Sequence, residues 1–231
     1  MIDFSSFEKI TGITFKDKKL LERAFIHRSY INENGNSKLS HNERLEFLGD
    51  AVLELVVTDF LFLRYPEKDE GDLTAYRSSL VNSVVLGEAA EKIGMNNYLL
   101  LSKGESKDTG KARSYILADT YEAFIGAVYF DQGYESAAKF IANTLLGKID
   151  EIISKKLWKD SKSLVQEKSQ ENLEITPSYR IINESGPDHD KNFTAGIFFG
   201  KDKIASAKGR SKQEAEQAAA RNALEAKDWL D

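Results

Sequence analysis

A chain of 231 residues exceeds one typical domain and falls short of two large ones. Its 41% hydrophobic content supplies ordinary buried cores, and no apolar run approaches the roughly 18 to 20 residues that span a bilayer. The absence of cysteine excludes disulfides, thiolate metal sites and a cysteine nucleophile, and the net charge of −5 argues mildly against a polyanionic partner.

That last objection works only on the average, because phosphate contacts depend on where the positive charges lie. The stretch Met1-Ile2-Asp3-Phe4-Ser5-Ser6 has no basic segment followed by an apolar block, so no secretory leader is expected. Together with the missing cysteines this suits a cytoplasmic protein. His27, His41 and His189 are too scattered for a zinc constellation.

From about Lys18 to Lys156 nearly every segment has apolar residues at spacings of three and four, the signature of helices. Helices are expected at Lys19–Phe25, Glu43–Arg64, Asp72–Ile93 and Ser136–Ile153, with breaks at the polar loop Asn32–Ser37 and at Tyr65-Pro66. After Trp158 the pattern changes. Lys162–Gln170 reads as one more helix, Ser178–Ile182, Phe193–Phe199 and Lys203–Lys208 as strands, and Ser211 to about Lys227 as a closing helix. Asn183–Asp188 is dense in turn formers, and Ser211 and Glu214 stand in capping-box register. The expected architecture is an all-α domain over residues 1–156, then a small α+β module of order α-β-β-β-α over residues 160–231. The boundary falls near Lys155 to Asp160, without a Gly/Ser/Pro linker.

The most informative segment is His41-Asn42-Glu43-Arg44-Leu45-Glu46-Phe47-Leu48-Gly49-Asp50. On a helix, Glu43, Glu46 and Asp50 fall within roughly 60° of one another. Leu45, Leu48, Val52 and Leu55 mark an apolar stripe on the other side, yet Phe47, Leu53 and Val57 project near the acids, so this helix reads as central. Like charges about 4 Å apart repel by about 4 kcal/mol at an effective dielectric of 20, so something must neutralise them. A second pair, Asp119 and Glu122, lies three residues apart in the apolar run Ile116–Ala127. Gly49 and Gly126 sit mid-helix, where glycine costs about 1 kcal/mol relative to alanine. Close approach of two backbones would explain both, and would bring Glu46, Asp50, Asp119 and Glu122 to one space. Four oxygen ligands suit Mg²⁺, or Mn²⁺ in its place, and not zinc. Each acid alone is equally a solvated residue or half of an ion pair with Arg44 or Arg77. Glu43 has the further alternative of closing a capping box with Ser40.

In the second half, Lys201, Lys203, Lys208, Arg210 and Lys212 cluster around one acid, Asp202. The last of them stands at a helix start, where side-chain charge adds to the positive end of the helix. Taken alone, this run is more simply a solvated hairpin and cap.

The stretch Asn42-Glu43-Arg44-Leu45-Glu46-Phe47-Leu48-Gly49-Asp50 resembles the signature motif of the ribonuclease III family. Leu117-Ala118-Asp119 through Glu122-Ala123 is similar to that family's second acidic motif, and Ala24–Tyr30 and Arg77–Val81 to its flanking segments. The resemblance implies a metal-dependent endonuclease of double-stranded RNA, leaving 5′-phosphate and 3′-hydroxyl ends. It implies metal ligands at Glu46, Asp50, Asp119 and Glu122, with Asp50 and Glu122 catalytic and Glu43 supporting. It also implies a homodimer whose two sites each cut one strand, and substrates among ribosomal RNA precursors and structured transcripts.

Ser163–Gln170, Gly186–His189 with Phe193, Lys208–Lys212 and Ala215–Ala220 resemble a double-stranded RNA-binding domain. By that resemblance Gln166, Glu167, Gln170 and His189 face successive minor grooves, and Lys208, Arg210 and Lys212 face the intervening phosphates, with little sequence dependence. One departure is Gln213, where the family often has a second basic residue; it implies weaker phosphate binding. Two other readings remain: a protein that holds duplexes without cutting, and a helical scaffold with surface carboxylates. The intact acidic set speaks against the first, and the C-terminal module against the second.

Overall fold

The computed structural model describes residues 3–35, 39–154, 158, 160–187 and 191–229. The chain folds as two compact units, Met1–Ile153 and Ser154–Asp231.

The first unit is helical: α1 (Ser5–Thr11), α2 (Lys18–Ala24), α3 (Arg28–Asn34), α4 (Glu43–Arg64), α5 (Glu70–Leu80), α6 (Ser83–Lys92), α7 (Lys111–Gln132), α8 (Tyr134–Thr144) and α9 (Ile149–Ser154). Its axis is α7, which buries Ile116, Leu117, Ala118, Thr120 and Tyr121 and then every residue from Ala123 to Val128. An aromatic cluster closes around it. Phe124 meets Phe7 edge-on at 5.2 Å and Phe140 at 4.9 Å between ring centroids, and Phe7 meets Phe25 at 5.1 Å. Helix α1, which the sequence reading did not foresee, exists largely to carry Phe7, fully buried, into this cluster.

The expected single helix Asp72–Ile93 is two, because Asn82 leaves the helical backbone and its side chain accepts from Val85 N at 3.1 Å, capping α6. Ser136–Ile153 is likewise interrupted, by a tight turn at Leu146–Lys148. Neither break carries a proline, so periodicity alone passes over them.

The second unit is α10 (Ser161–Leu173), β1 (Pro177–Ser185), β2 (Asn192–Phe199), β3 (Asp202–Gly209) and α11 (Lys212–Ala226), an antiparallel sheet of order β1-β2-β3 with two helices. Its core joins Leu164 and Val165 of α10, Ala195, Ile197 and Phe199 of β2, and Ala215, Ala219, Ala220, Ala223 and Leu224 of α11. The alanine row lets α11 lie close to the sheet, and Trp229 stacks on Phe199 at 5.7 Å. Asn183–Ser185, read as turn, continue β1: a register shift between Ile181 and Asn183 lets them pair with Thr194–Asn192.

Helices α4 and α7 cross at their glycines. A Cβ on Gly49 would overlap the Glu122 carbonyl oxygen and come within 2.8 Å of Gly126 N. One on Gly126 would overlap the Leu45 carbonyl oxygen and come within 3.0 Å of Gly49 N. The backbones are therefore in direct contact. Gly49→Ala is expected to lose about 3 kcal/mol or more by overpacking, against a helix-propensity gain of about 1 kcal/mol. Thermal unfolding followed by circular dichroism should show a drop of about 10 °C. Gly147→Ala, where an added Cβ meets nothing within 4 Å, should leave the midpoint close to wild type.

Candidate metal centre and nucleic-acid interface

The glycine contact fixes where the acids stand. Glu46 lies one turn before Gly49 on α4, and Glu122 one turn before Gly126 on α7, with Asp119 a turn further back. One carboxylate oxygen from each of Glu46, Asp119 and Glu122 lies within 4.8 Å of the others, and all three side chains are partly buried. Asp50, the fourth residue expected here, lies outside that triple and is exposed. It is still close enough for its charge to bear on both Glu122 and Glu46.

The electrostatics record the crowding. Burial, reinforced by the charges of Asp119, Glu43 and Asp50, pushes the Glu46 carboxyl up to about 7. Burial, then Asp50, Asp119, Glu46 and Glu54, pushes Glu122 up to about 8. Asp119 is also raised by burial, with His27 pulling the other way. Three convergent carboxylates that resist joint ionisation are a donor set that a divalent cation relieves, and their all-oxygen chemistry fits a hard ion.

Neighbouring residues hold this arrangement. Asn42, buried at the head of α4, donates its Nδ2 to Ala24 O at 3.2 Å and its backbone N to Ile26 O at 2.9 Å, tying α4 to the α2–α3 segment. The alternative reading of Glu43, a capping box with Ser40, does not form, because α4 starts from Asn42; Glu43 faces Arg28 at 3.8 Å and His41 at 3.6 Å. Arg77 pairs with Glu54 at 2.9 Å, not with the clustered acids. His27 Nδ1 accepts from Ser29 N at 3.3 Å, capping α3. Its influence on Asp119 was invisible in the sequence, where a lone histidine had no evident partner. Phe47 and Leu55, expected to help pack α4, are 82% and 57% exposed.

In the second unit, Gln166, Glu167 and Gln170 share the exposed side of α10, opposite buried Leu164, Val165 and Ser169. Lys208, Arg210 and Lys212 are exposed around the start of α11. Ser211 Oγ accepts from Glu214 N at 3.1 Å, and the Glu214 carboxylate accepts from Arg210 N at 3.1 Å, a capping box displaced by one residue. Gly209 lets the end of β3 press on this turn, since a Cβ there would lie 2.8 Å from Glu214 C and overlap Ala215 N. His189 lies outside the described residues.

A helical unit with clustered carboxylates and an α-β-β-β-α unit with a basic helix start define a nuclease paired with a duplex-RNA reader. Residues 17–149 match the Ribonuclease-III-like family, and residues 161–227 match the Double-stranded RNA binding motif. The chain belongs to the ribonuclease III family, the endoribonucleases specific for double-stranded RNA. It is 47% identical over 220 residues to Ribonuclease 3 of Carboxydothermus hydrogenoformans, covering 95% of this chain and 94% of that one. It is 45% identical over 214 residues to Ribonuclease 3 of Enterococcus faecalis, covering 92% of each. Among solved structures it resembles a ribonuclease III nuclease domain from Campylobacter jejuni, with a TM-score of 0.57 and 37% identity, over 62% of this chain and 95% of that one.

The raised carboxyls set a pH dependence. Between the ordinary glutamate range and about 7 for Glu46, or about 8 for Glu122, the folded chain holds protons that the unfolded chain has released. Metal-free stability therefore falls as pH rises through this window and levels off above it. In EDTA the melting temperature should decline from about pH 5.5 to about pH 8.5. Glu122→Gln should remove part of that decline, and Mg²⁺ should reverse it in the wild type. Parallel pH profiles for wild type and variant would contradict the assignment.

Proposed function

We propose that this chain hydrolyses phosphodiester bonds of double-stranded RNA at a centre formed by Glu46, Asp50, Asp119 and Glu122, leaving 5′-phosphate and 3′-hydroxyl ends. The observation that carries the reading is the convergence of the Glu46, Asp119 and Glu122 carboxylates across the glycine contact of α4 and α7. The ion is Mg²⁺, with Mn²⁺ able to replace it. When bound, it supplies a water activated for in-line attack and stabilises the entering and leaving oxygens. The protein's part is positioning. The α4–α7 contact fixes Glu46, Asp119 and Glu122, and exposed Asp50 offers a fourth carboxylate on the solvent side, where a phosphate arrives. Asp50 and Glu122 are the catalytic pair. Glu43 supports the centre through its charge on Glu46 and its pairing with Arg28 and His41.

Residues 1–156 are the catalytic domain and residues 160–231 the RNA-binding domain. Gln166, Glu167, Gln170 and His189 enter successive minor grooves, and Lys208, Arg210 and Lys212 meet the phosphates between them. The substrates are ribosomal RNA precursors and structured transcripts in the cytoplasm. Among the described residues no helix is long and apolar enough to cross a membrane.

The working form is a homodimer. Phe47, Leu55 and Phe62 recur along one side of α4 and are 82%, 57% and 67% exposed, an apolar stripe that a second copy would cover. A cleft of about 430 Å³, lined in part by Phe62, Leu73 and Arg77, lies at its far end. The solved nuclease domain from Campylobacter jejuni is itself described by a region involved in dimer formation.

A long RNA duplex should be cut with Mg²⁺ and left intact with EDTA. Glu122→Gln should slow cutting by more than about a hundredfold, beyond the usual effect of losing a residue that only supports a ligand, while duplex binding persists. Tight binding by the wild type without cutting in Mg²⁺ or Mn²⁺ would sink the reading. Leu55→Glu, which places a charge on the apolar stripe, should shift the protein to monomer in sedimentation analysis; an unchanged dimer would move the interface elsewhere.

A further inference from the structure

A carboxylate on β1, Glu184, faces the basic start of α11, where a phosphate site would have none. In the sheet, Glu184 pairs with Phe193, and Phe193 with Gly209, so Glu184, the Phe193 ring and the turn into α11 stand in one row. Lys212, the first residue of α11, reaches back along that row. Its Nζ lies 5.6 Å from the centre of the Phe193 ring and 3.7 Å from Glu184 Oε1. Both charged side chains are largely exposed, at 61% for Lys212 and 44% for Glu184.

An exposed pair of this length adds little to stability, so folding gives no strong reason for it. Its effect lies in binding. A phosphate approaching Lys212 must displace Glu184 and then sits beside an uncompensated carboxylate. We propose that Glu184 competes with RNA phosphate for Lys212 and so lowers duplex affinity, making it a residue that tunes how tightly this chain holds RNA. The proposal rests on the reading of Lys212 as a phosphate contact. The Phe193 ring keeps the ammonium in place when the carboxylate is exchanged, so the lysine stays presented to the duplex. Among the described residues, Glu214 and Glu216 near the start of α11 are otherwise engaged: Glu214 accepts from Arg210 N, and Glu216 pairs with Lys162 at 2.8 Å.

The test is binding of a short RNA duplex by the full chain in EDTA, where cutting is absent, across a salt titration. Glu184→Gln should tighten binding severalfold at low salt and steepen the dependence of log K on log salt by about one, since Lys212 then neutralises a phosphate without freeing a carboxylate. Glu225→Gln makes the same change in net charge at a matched exposed pair, Arg221–Glu225 at 3.6 Å, towards the other end of α11. It should leave both quantities near wild type, and Lys212→Gln should weaken binding. Equal effects of Glu184→Gln and Glu225→Gln, or none from Glu184→Gln, would overturn the competition. If Lys212→Gln also had no effect, the phosphate reading beneath it would fall too.

Discussion

Two helices touching backbone to backbone at Gly49 and Gly126 are the constraint on which the catalytic unit depends. A side chain at either position would separate α4 from α7, and with them the carboxylates that each helix contributes. Interhelical distances are ordinarily 8–10 Å and set by the side chains between. Removing those side chains is what lets Glu46 meet Asp119 and Glu122. The cost in helix propensity at two glycines is small beside the loss of the site.

The same closeness creates an electrostatic debt. Burial and mutual repulsion raise Glu46 to about 7 and Glu122 to about 8, so the two carboxyls resist joint ionisation near neutral pH. Around that strained centre the protein is conventional: Phe7, Phe25, Phe124 and Phe140 pack as a rigid aromatic core, and Asn42 binds the head of α4 to the α2–α3 segment. The RNA-binding unit shows the opposite use of charge. Gln166, Glu167, Gln170, Lys208, Arg210 and Lys212 are exposed on α10 and around the start of α11, over a core that joins the α11 alanines to Leu164, Ile197 and Phe199, and Lys212 lies beside Glu184.

Much of this was legible in the chain. Helix α4 was readable to its ends, because its apolar spacing runs unbroken to Tyr65-Pro66 and a polar loop precedes it. The α-β-β-β-α order was equally clear, because alternation and helical spacing are local properties. The mid-helix glycines could be read as a close approach because nothing local favours glycine there. Where the reading failed, the cause was a local cap that periodicity passes over, or a partner far away in the chain. The break at Asn82 depends on a cap, helix α1 on a slot for Phe7, and the continuation of β1 through Asn183–Ser185 on a partner strand.

Residue types and their spacing thus determined by themselves that the chain has a helical half carrying two acidic pairs and a mixed half carrying a basic helix start. Both follow from periodicities of a few residues. Only the tertiary structure decided which acids converge. Glu46, Asp119 and Glu122 share one space while Asp50 stands at its exposed margin, because the glycine contact sets the rotation of α4 against α7. It alone decided that Glu43 joins Arg28 and His41 in place of a cap, and that Lys212 rests beside Glu184. Apart from His41 beside Glu43, these pairings join residues far apart in the chain. Charge and helical phase fix which side of an element a residue occupies, but its partner is fixed only when a second element packs against that side.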